Sequence, residues 1–200
     1  MITYAPVATL EIEVKLRAAD VAEARARLDR VGARLLHPRE FEDNRLYDFP
    51  DRSLMNRGAM LRLRLTDRSA FLTYKDRARA EEGVKVREEV ETAFPRIEAA
   101  RLAETLERVG MQVIFRYQKF RTTWESEGLH LTLDETPIGV FVELEGERVA
   151  INRAASTMGC APADYIAQSY RDLYLSAPLT MRGPSDRMLF PDDQRPADWS

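Results

Sequence analysis

Two hundred residues, 44% of them hydrophobic, suit one compact domain with a sizeable core and a short extension; two full domains would be cramped. A net charge of -3 argues against a protein built to coat nucleic acid, which carries a broad excess of Lys and Arg. The single cysteine, Cys160, excludes an intramolecular disulfide, and the N-terminal residues hold no uninterrupted apolar run of the kind a signal peptide or membrane span needs. A cytoplasmic, membrane-free setting is therefore expected.

Charged residues make up 32% of the chain, so the question is where they fall relative to strand and helix periods. Residues 10–16 alternate with period two, which puts Glu11, Glu13 and Lys15 on one face of a strand and aliphatic side chains on the other. Asp20 then starts a helical run to Val31, with Glu23 three residues on as a capping box and Gly32 as its stop. Residues 61–65 and 71–75, joined by a polar turn, read as a hairpin carrying Arg62, Arg64 and Lys75. Residues 84–91 place Lys85, Arg87, Glu89 and Glu91 on one face against valines on the other.

A second helix over 98–109 stops at Gly110 and leads into a strand over 113–124, where Lys119 and Arg121 share a face with Phe115 and Tyr117. Residues 129–135 and 140–145 form another hairpin, with His130 and Asp134 on one strand and Glu143 and Glu145 on the other. Helices are expected over 151–158 and 163–175. The remainder, 176–200, holds four prolines with little periodicity and reads as a loosely packed Pro-rich tail after a domain spanning 1–175. An internal repeat is also visible, because Glu89 minus Glu11, Glu91 minus Glu13, Arg108 minus Arg30 and Gly110 minus Gly32 each give 78. One strand, helix, glycine, strand unit is used twice.

An ordinary antiparallel sheet leaves its polar face in water. Here seven or eight strands share paired Glu and paired Arg or Lys at i, i+2, and a closed antiparallel barrel would turn those faces inward while the aliphatic faces meet helices outside. The expected class is α+β, an eight-stranded closed β barrel. Its interior would hold Glu11, Glu13, Glu89, Glu91, Asp134, Glu143 and Glu145 beside Lys15, Arg62, Arg64, Lys75, Arg87, Lys119 and Arg121. Interior charge is costly unless paired or coordinated, so these sets must neutralise each other or a ligand. Carboxylates suit hard cations such as Mg²⁺ or Mn²⁺, and converging Arg and Lys suit phosphate oxygens. His37, His130 and Cys160 are too few for a zinc site.

The pentapeptide Glu11, Ile12, Glu13, Val14, Lys15 resembles the ExExK signature of the CYTH domain, the triphosphate tunnel metalloenzymes. Arg62 and Arg64, Lys75, the 85–91 stretch, Lys119 and Arg121, Asp134, and Glu143 with Glu145 follow in family order over roughly 8–175. The resemblance implies a metal-dependent enzyme acting on ATP, inorganic triphosphate or thiamine triphosphate. The form of the pentapeptide is most similar to the class IV adenylate cyclase group, with triphosphatase as the alternative and a noncatalytic polyphosphate-binding module as a third class.

Carried over residue by residue, Glu11, Glu13, Glu143 and Glu145 match the metal ligands, with Asp134, Glu89 and Glu91 as further acids. Lys15, Arg62, Arg64, Lys75, Arg87, Lys119 and Arg121 match the triphosphate contacts, and Arg57 is a weaker addition. Lys15 is the catalytic candidate, either activating water or stabilising the leaving group; a structural salt bridge to a neighbouring Glu is the bland alternative. Tyr47, Tyr117 and Trp124 read as core or rim residues, Glu88 and Arg116 as outward-facing, and His130 as structural. An accessible apolar patch would support a homodimer, but no residue identifies one.

Overall fold

The computed structural model describes residues 9–81, 84–178, 180, 182–196 and 199, with backbone only at 80 and 81. The first eight residues of the expected domain, and residues 179, 181, 197, 198 and 200 of the expected tail, lie outside the described residues.

The first strand, β1 (Thr9–Ala18), runs into α1 (Val21–Arg30) and a long strand β2 (Arg34–Asp48). A single turn, α2 (Ser53–Asn56), precedes the hairpin β3 (Met60–Leu65) and β4 (Ser69–Lys75). After a short β5 (Arg79–Glu81), the pattern recurs as β6 (Val84–Pro95), α3 (Ala99–Arg108), long β7 (Gln112–Ser126), and the hairpin β8 (Leu129–Thr136) and β9 (Gly139–Glu145). Helices α4 (Arg148–Thr157) and α5 (Tyr170–Ser176) and a two-residue strand β10 (Arg187–Met188) follow.

Eight strands close into a ring in the order β1-β9-β8-β7-β2-β3-β4-β6, with β6 returning to pair with β1. Every pairing within the ring is antiparallel. The repeat seen in the sequence is structural. Ala99 minus Val21, Arg108 minus Arg30, Gln112 minus Arg34 and Ser126 minus Asp48 each give 78, so α3 and β7 start and stop one repeat after α1 and β2. Exchanging β1 for β6, β2 for β7, β3 for β8 and β4 for β9 reverses the ring order onto itself, which is the signature of a pseudo-two-fold barrel.

Local chemistry sets the helix ends. Asp20 caps α1 by accepting the Glu23 backbone N–H at 2.8 Å, while the Glu23 carboxylate accepts the Ala19 N–H at 2.6 Å. A cap of this kind contributes about 1 kcal/mol. Gly32 and Gly110 end the two repeat helices at φ +60 and +93, where a side chain would be strained.

The outward faces of the strands carry the apolar core. Val14, Leu16, Leu131, Leu133, Val142 and Leu144 meet Ala24 and Leu28 of α1 and Ile151, Ala155 and Met158 of the α4 region. On the opposite side Leu63, Leu65 and Ala70 meet Ala99 and Leu106 of α3. Tyr47 is buried in this second cluster and Trp124 packs against the first, as the sequence suggested.

Two expectations are corrected. Of the expected 163–175 helix only 170–175 are α-helical, within a helix that runs Tyr170–Ser176; Pro162–Asp164 is one 3-10 turn. Between them Ile166 exchanges two backbone hydrogen bonds with Lys15, and a helical backbone could not offer both groups to a strand. The terminal segment is also docked where loose packing was expected. Strand β10 pairs in parallel with the start of β7, and Met188, Phe190 and Trp199 are buried, the last with its indole N–H donating to Asp67. Prolines disguised this segment, because its apolar anchors are spaced too irregularly to show a period.

Candidate active site in the barrel interior

The inward faces of the ring enclose a cavity of about 620 Å³. All seven expected bases line it: Lys15, Arg62, Arg64, Lys75, Arg87, Lys119 and Arg121. So do Glu11, Glu13, Glu89, Glu91, Glu143 and Glu145. Register explains the convergence, since Glu13 stands opposite both Glu145 on β9 and Lys85 on β6, Lys15 opposite Glu143, and Glu11 opposite Arg87. Alternation keeps every second residue of each strand on the same wall.

The charges form two linked networks. In one, Lys75 binds Glu11 at 2.5 Å and Glu89 at 2.6 Å, Arg87 binds Glu11 at 2.8 Å, and Lys85 binds Glu13 at 2.7 Å. In the other, Lys15 binds Glu143 at 2.5 Å and Arg121 bridges Glu143 at 2.5 Å to Asp134. Arg64 reaches Glu91 at 3.1 Å and Glu42 at 3.6 Å, and Arg62 lies 3.6 Å from Glu91. Two donors in this set are unused: Nε of Arg62 and Nε of Arg64 are buried without an acceptor. A buried guanidinium N–H without an acceptor costs about 1–3 kcal/mol or more, and an anion entering the cavity would relieve it.

Burial opposes each carboxylate, and its neighbours decide the outcome. Lys75 and Arg87 hold Glu11 below the usual range, Lys85 and Lys15 hold Glu13 far below it, and Lys15 and Arg121 do the same for Glu143. Burial also opposes the Lys15 ammonium, yet Glu143, Glu13 and Asp134 outweigh it and raise its pKa. Lys15 is therefore a protonated cation at neutral pH.

Glu145 behaves differently. Among the described residues no base pairs with it, and it is exposed by surface area yet lines the cavity, whose walls desolvate it in part. Burial together with Glu11, Glu13 and Glu89 pushes its pKa up to about 7. A cation is what such a group lacks, and its neighbours Glu13 and Glu11 offer the oxygen donors that Mg²⁺ or Mn²⁺ prefers. Among the described residues no three acidic, His or Cys side chains already enclose an ion site. The donor set fits a hard divalent metal in chemistry, while its acids are held apart by their basic partners.

Two expected site residues stand elsewhere. Asp134 is fully buried behind the wall, accepting from Lys119 at 2.9 Å, from Arg121 at 2.7 and 2.6 Å, and from the Tyr170 hydroxyl at 2.7 Å. Arg57 is exposed outside the cavity, just before β3. Glu88 is exposed as expected, and Arg116 pairs with Asp43 on the outer face. His130 lines the Glu145 end, where burial, Arg121 and His37 lower its pKa.

Sequence reading left out Glu42 and the Ser169–Tyr170–Arg171 stretch, and it placed Lys85 on the charged face without giving it a role. Lys85 was legible, since it shares the alternating face of Arg87 and Glu89. Glu42 was not: β2 carries polar residues on both faces, and register shifts at Leu35/His37 and His37/Glu40 break its period. Burial opposes the Glu42 carboxylate, but Lys119 and Arg64 bring its pKa down to about 2.

Comparison with known proteins agrees with this geometry. The family model described as the CYTH domain matches residues 9–158. A Methanocaldococcus jannaschii protein, named provisionally as an adenylate cyclase, is 25% identical over 144 residues, which is 72% of this chain and 80% of that protein. A Vibrio parahaemolyticus structure with the same provisional name superposes at TM-score 0.67 with 22% identity, covering 84% of this chain and 99% of that one. A Hippeastrum protein, described as a provisional adenylyl cyclase with a dominant triphosphatase activity, superposes at 0.65 with 20% identity, covering 83% and 95%. The structural likenesses carry the fold.

Proposed function

The chain belongs to the CYTH domain family, and from that premise we propose that it is a divalent-metal-dependent enzyme acting on a triphosphate, with the class IV adenylate cyclase reaction, ATP to cyclic AMP and pyrophosphate, as its first reading. One observation carries the proposal: a single cavity holds buried arginine donors without acceptors, at Arg62 and Arg64, and a carboxylate without a base, at Glu145. A polyphosphate accompanied by a metal ion answers both.

In this reading Glu11, Glu13, Glu143 and Glu145 hold Mg²⁺ or Mn²⁺, which when bound polarises phosphoryl oxygens and offsets their charge. Arg62, Arg64, Lys75, Arg87, Lys119 and Arg121 grip the phosphates, Arg by its bidentate fork and Lys as a point charge. Glu89 and Glu91 hold Lys75, Arg62 and Arg64 in position, and Asp134 anchors Lys119 and Arg121 instead of serving as a ligand. Lys15, protonated and fixed on Glu143, stabilises negative charge on the leaving group and does not act as a base. We assign residues 1–175 to the CYTH unit and 176–200 to an appended strap.

Hydrolysis of the triphosphate is the second reading, favoured by the activity described for the Hippeastrum relative. Phosphorus NMR of products, after mixing protein and Mg²⁺ or Mn²⁺ separately with ATP, inorganic triphosphate and thiamine triphosphate, decides between them. Cyclic AMP with pyrophosphate supports the cyclase, and orthophosphate supports the triphosphatase. Binding without turnover moves the assignment to a noncatalytic module. Full metal-dependent turnover in a folded Glu11→Gln variant would sink the metal assignment.

A further inference from the structure

One base in the cavity has no part in the networks described above. Every Lys and Arg that the strands bring to the cavity wall is held by an acid of the barrel at 3.6 Å or less. Arg171 lines the same cavity from the first turn of α5 and, among the described residues, pairs with none of those acids. Its ion pair is with Asp172, its neighbour in the chain, at 3.6 Å. That carboxylate is 54% exposed and already accepts the Ser169 hydroxyl at 2.7 Å. A long, exposed pair of this kind holds a guanidinium only weakly.

The place from which Arg171 reaches the cavity is fixed. The Tyr170 hydroxyl donates to Asp134 at 2.7 Å, the Tyr170 ring meets the Phe141 ring with centroids 5.4 Å apart, and Ile166 exchanges two backbone hydrogen bonds with Lys15. The start of α5 is thereby tied to β8, β9 and β1 as an end wall of the cavity, and a side chain carried on such a support keeps its position. Phe141 and Glu145 stand four residues apart along β9, roughly 13 Å at about 3.3 Å per residue. Arg171 and the acid proposed for the metal ion therefore lie toward opposite ends of the cavity, with the strand bases between them. Arg171 also follows residue 158, where the match to the CYTH model ends, so the resemblance gives it no role.

An arrangement of this kind measures length. A phosphate chain anchored through its metal ion at Glu145 runs along the strand bases toward α5, and each further phosphoryl group brings charge closer to Arg171. Resting on the triphosphate reading above, we infer that Arg171 is a specificity-determining residue: its guanidinium fork takes the phosphoryl group farthest from the metal and so separates a triphosphate from a diphosphate. A product one phosphoryl group shorter lacks that contact and dissociates faster.

Equilibrium binding in Mg²⁺ is measured for the bridging-imido analogues of inorganic triphosphate and pyrophosphate, which resist hydrolysis and carry no organic group. Wild type, Arg171→Gln and Arg171→Lys are compared, with circular dichroism to check folding. Wild type is expected to prefer the triphosphate analogue, and Arg171→Gln to weaken that ligand about tenfold or more while the diphosphate analogue changes less than about twofold. Arg171→Lys keeps the charge without the fork and should restore a good part of the preference. Equal affinity of wild type for the two analogues overturns the inference without any variant. Equal loss for both analogues, no loss for the triphosphate, or a folded Arg171→Lys no better than Arg171→Gln also overturns it, and each of these leaves the triphosphate reading standing. Metal-dependent binding of neither analogue to wild type overturns both.

Discussion

Asp134 on β8 and Glu145 on β9 are acids of adjacent strands, and their surroundings are opposite. Asp134 is wholly buried and accepts from Lys119, Arg121 and Tyr170. Glu145 faces the cavity, has no base, and is pushed up to about 7 by burial and three nearby acids. The first is a structural keystone, and the second is the acid that the proposed function gives to the metal ion. Depth along the barrel makes the difference: Asp134 pairs with Phe141 at the end packed with aromatic side chains, and Glu145 pairs with His130 at the other. A carboxylate thus contributes to stability where its bases are fixed around it and to binding where they are withheld.

The largest effect is expected at the keystone. Asp134→Ala strands Lys119 and Arg121 in the interior, and a loss of about 3–5 kcal/mol is expected from breaking a buried ion pair on one side only. Urea unfolding at pH 7 measures it; a loss under about 1 kcal/mol, the range of a surface pair, would remove the contrast with Glu145.

Glu42 comes next, because it shares Lys119 with Asp134, at 3.4 Å. Its folded pKa of about 2 lies below the ordinary 4.5, so its contribution is complete above 4.5 and disappears as pH falls from 4.5 toward 2. A depression of this size corresponds to roughly 3 kcal/mol. Wild-type stability should therefore drop between pH 5 and pH 3 by more than that of Glu42→Gln, the two curves converging at the acid end. Parallel curves would show that Glu42 does not feel Lys119 and Arg64. A smaller change is expected from Tyr170→Phe, which removes one hydrogen bond to a charged acceptor, worth about 1.5–3 kcal/mol, and should lower the melting temperature without abolishing folding.

How much of this contrast could be read from the chain depends on what alternation encodes. Glu11, Glu13 and Lys15 were legible as one wall because their intervening residues are all aliphatic, and the 78-residue spacing predicted two strand–helix–strand units, of which the structure reproduces the bounds of the helix and the second strand. Alternation gives the face of a residue and says nothing of its depth. Asp134 shares its face with His130, yet only His130 lines the cavity, and the partner that buries Asp134, Tyr170, comes from a segment whose pattern suggested continuous helix. Glu42 stayed hidden because bulges in β2 destroy the period on which the reading depends. The docking of Met188, Phe190 and Trp199 escaped for a related reason, since these residues follow no regular spacing.

The comparison is sharpest at its quiet member. Glu145→Gln removes a charge that burial, Glu11, Glu13 and Glu89 oppose, so in the absence of ligand the folded state should lose no stability at neutral pH and should gain some, a gain that disappears below the ordinary carboxylate range near 4.5. Affinity for metal should not be spared, because the amide keeps the shape of the side chain and loses the anionic oxygen that a hard cation requires. Titrating Mg²⁺ or Mn²⁺ at fixed triphosphate and reading the half-saturating concentration separates the two roles. An increase of about tenfold or more, with stability to urea no lower than in wild type, is expected from losing one good charge-bearing contact. Unchanged half-saturation would leave Glu145 as an unpaired acid without a task, and the metal would then have to be sought among the acids that the bases already hold.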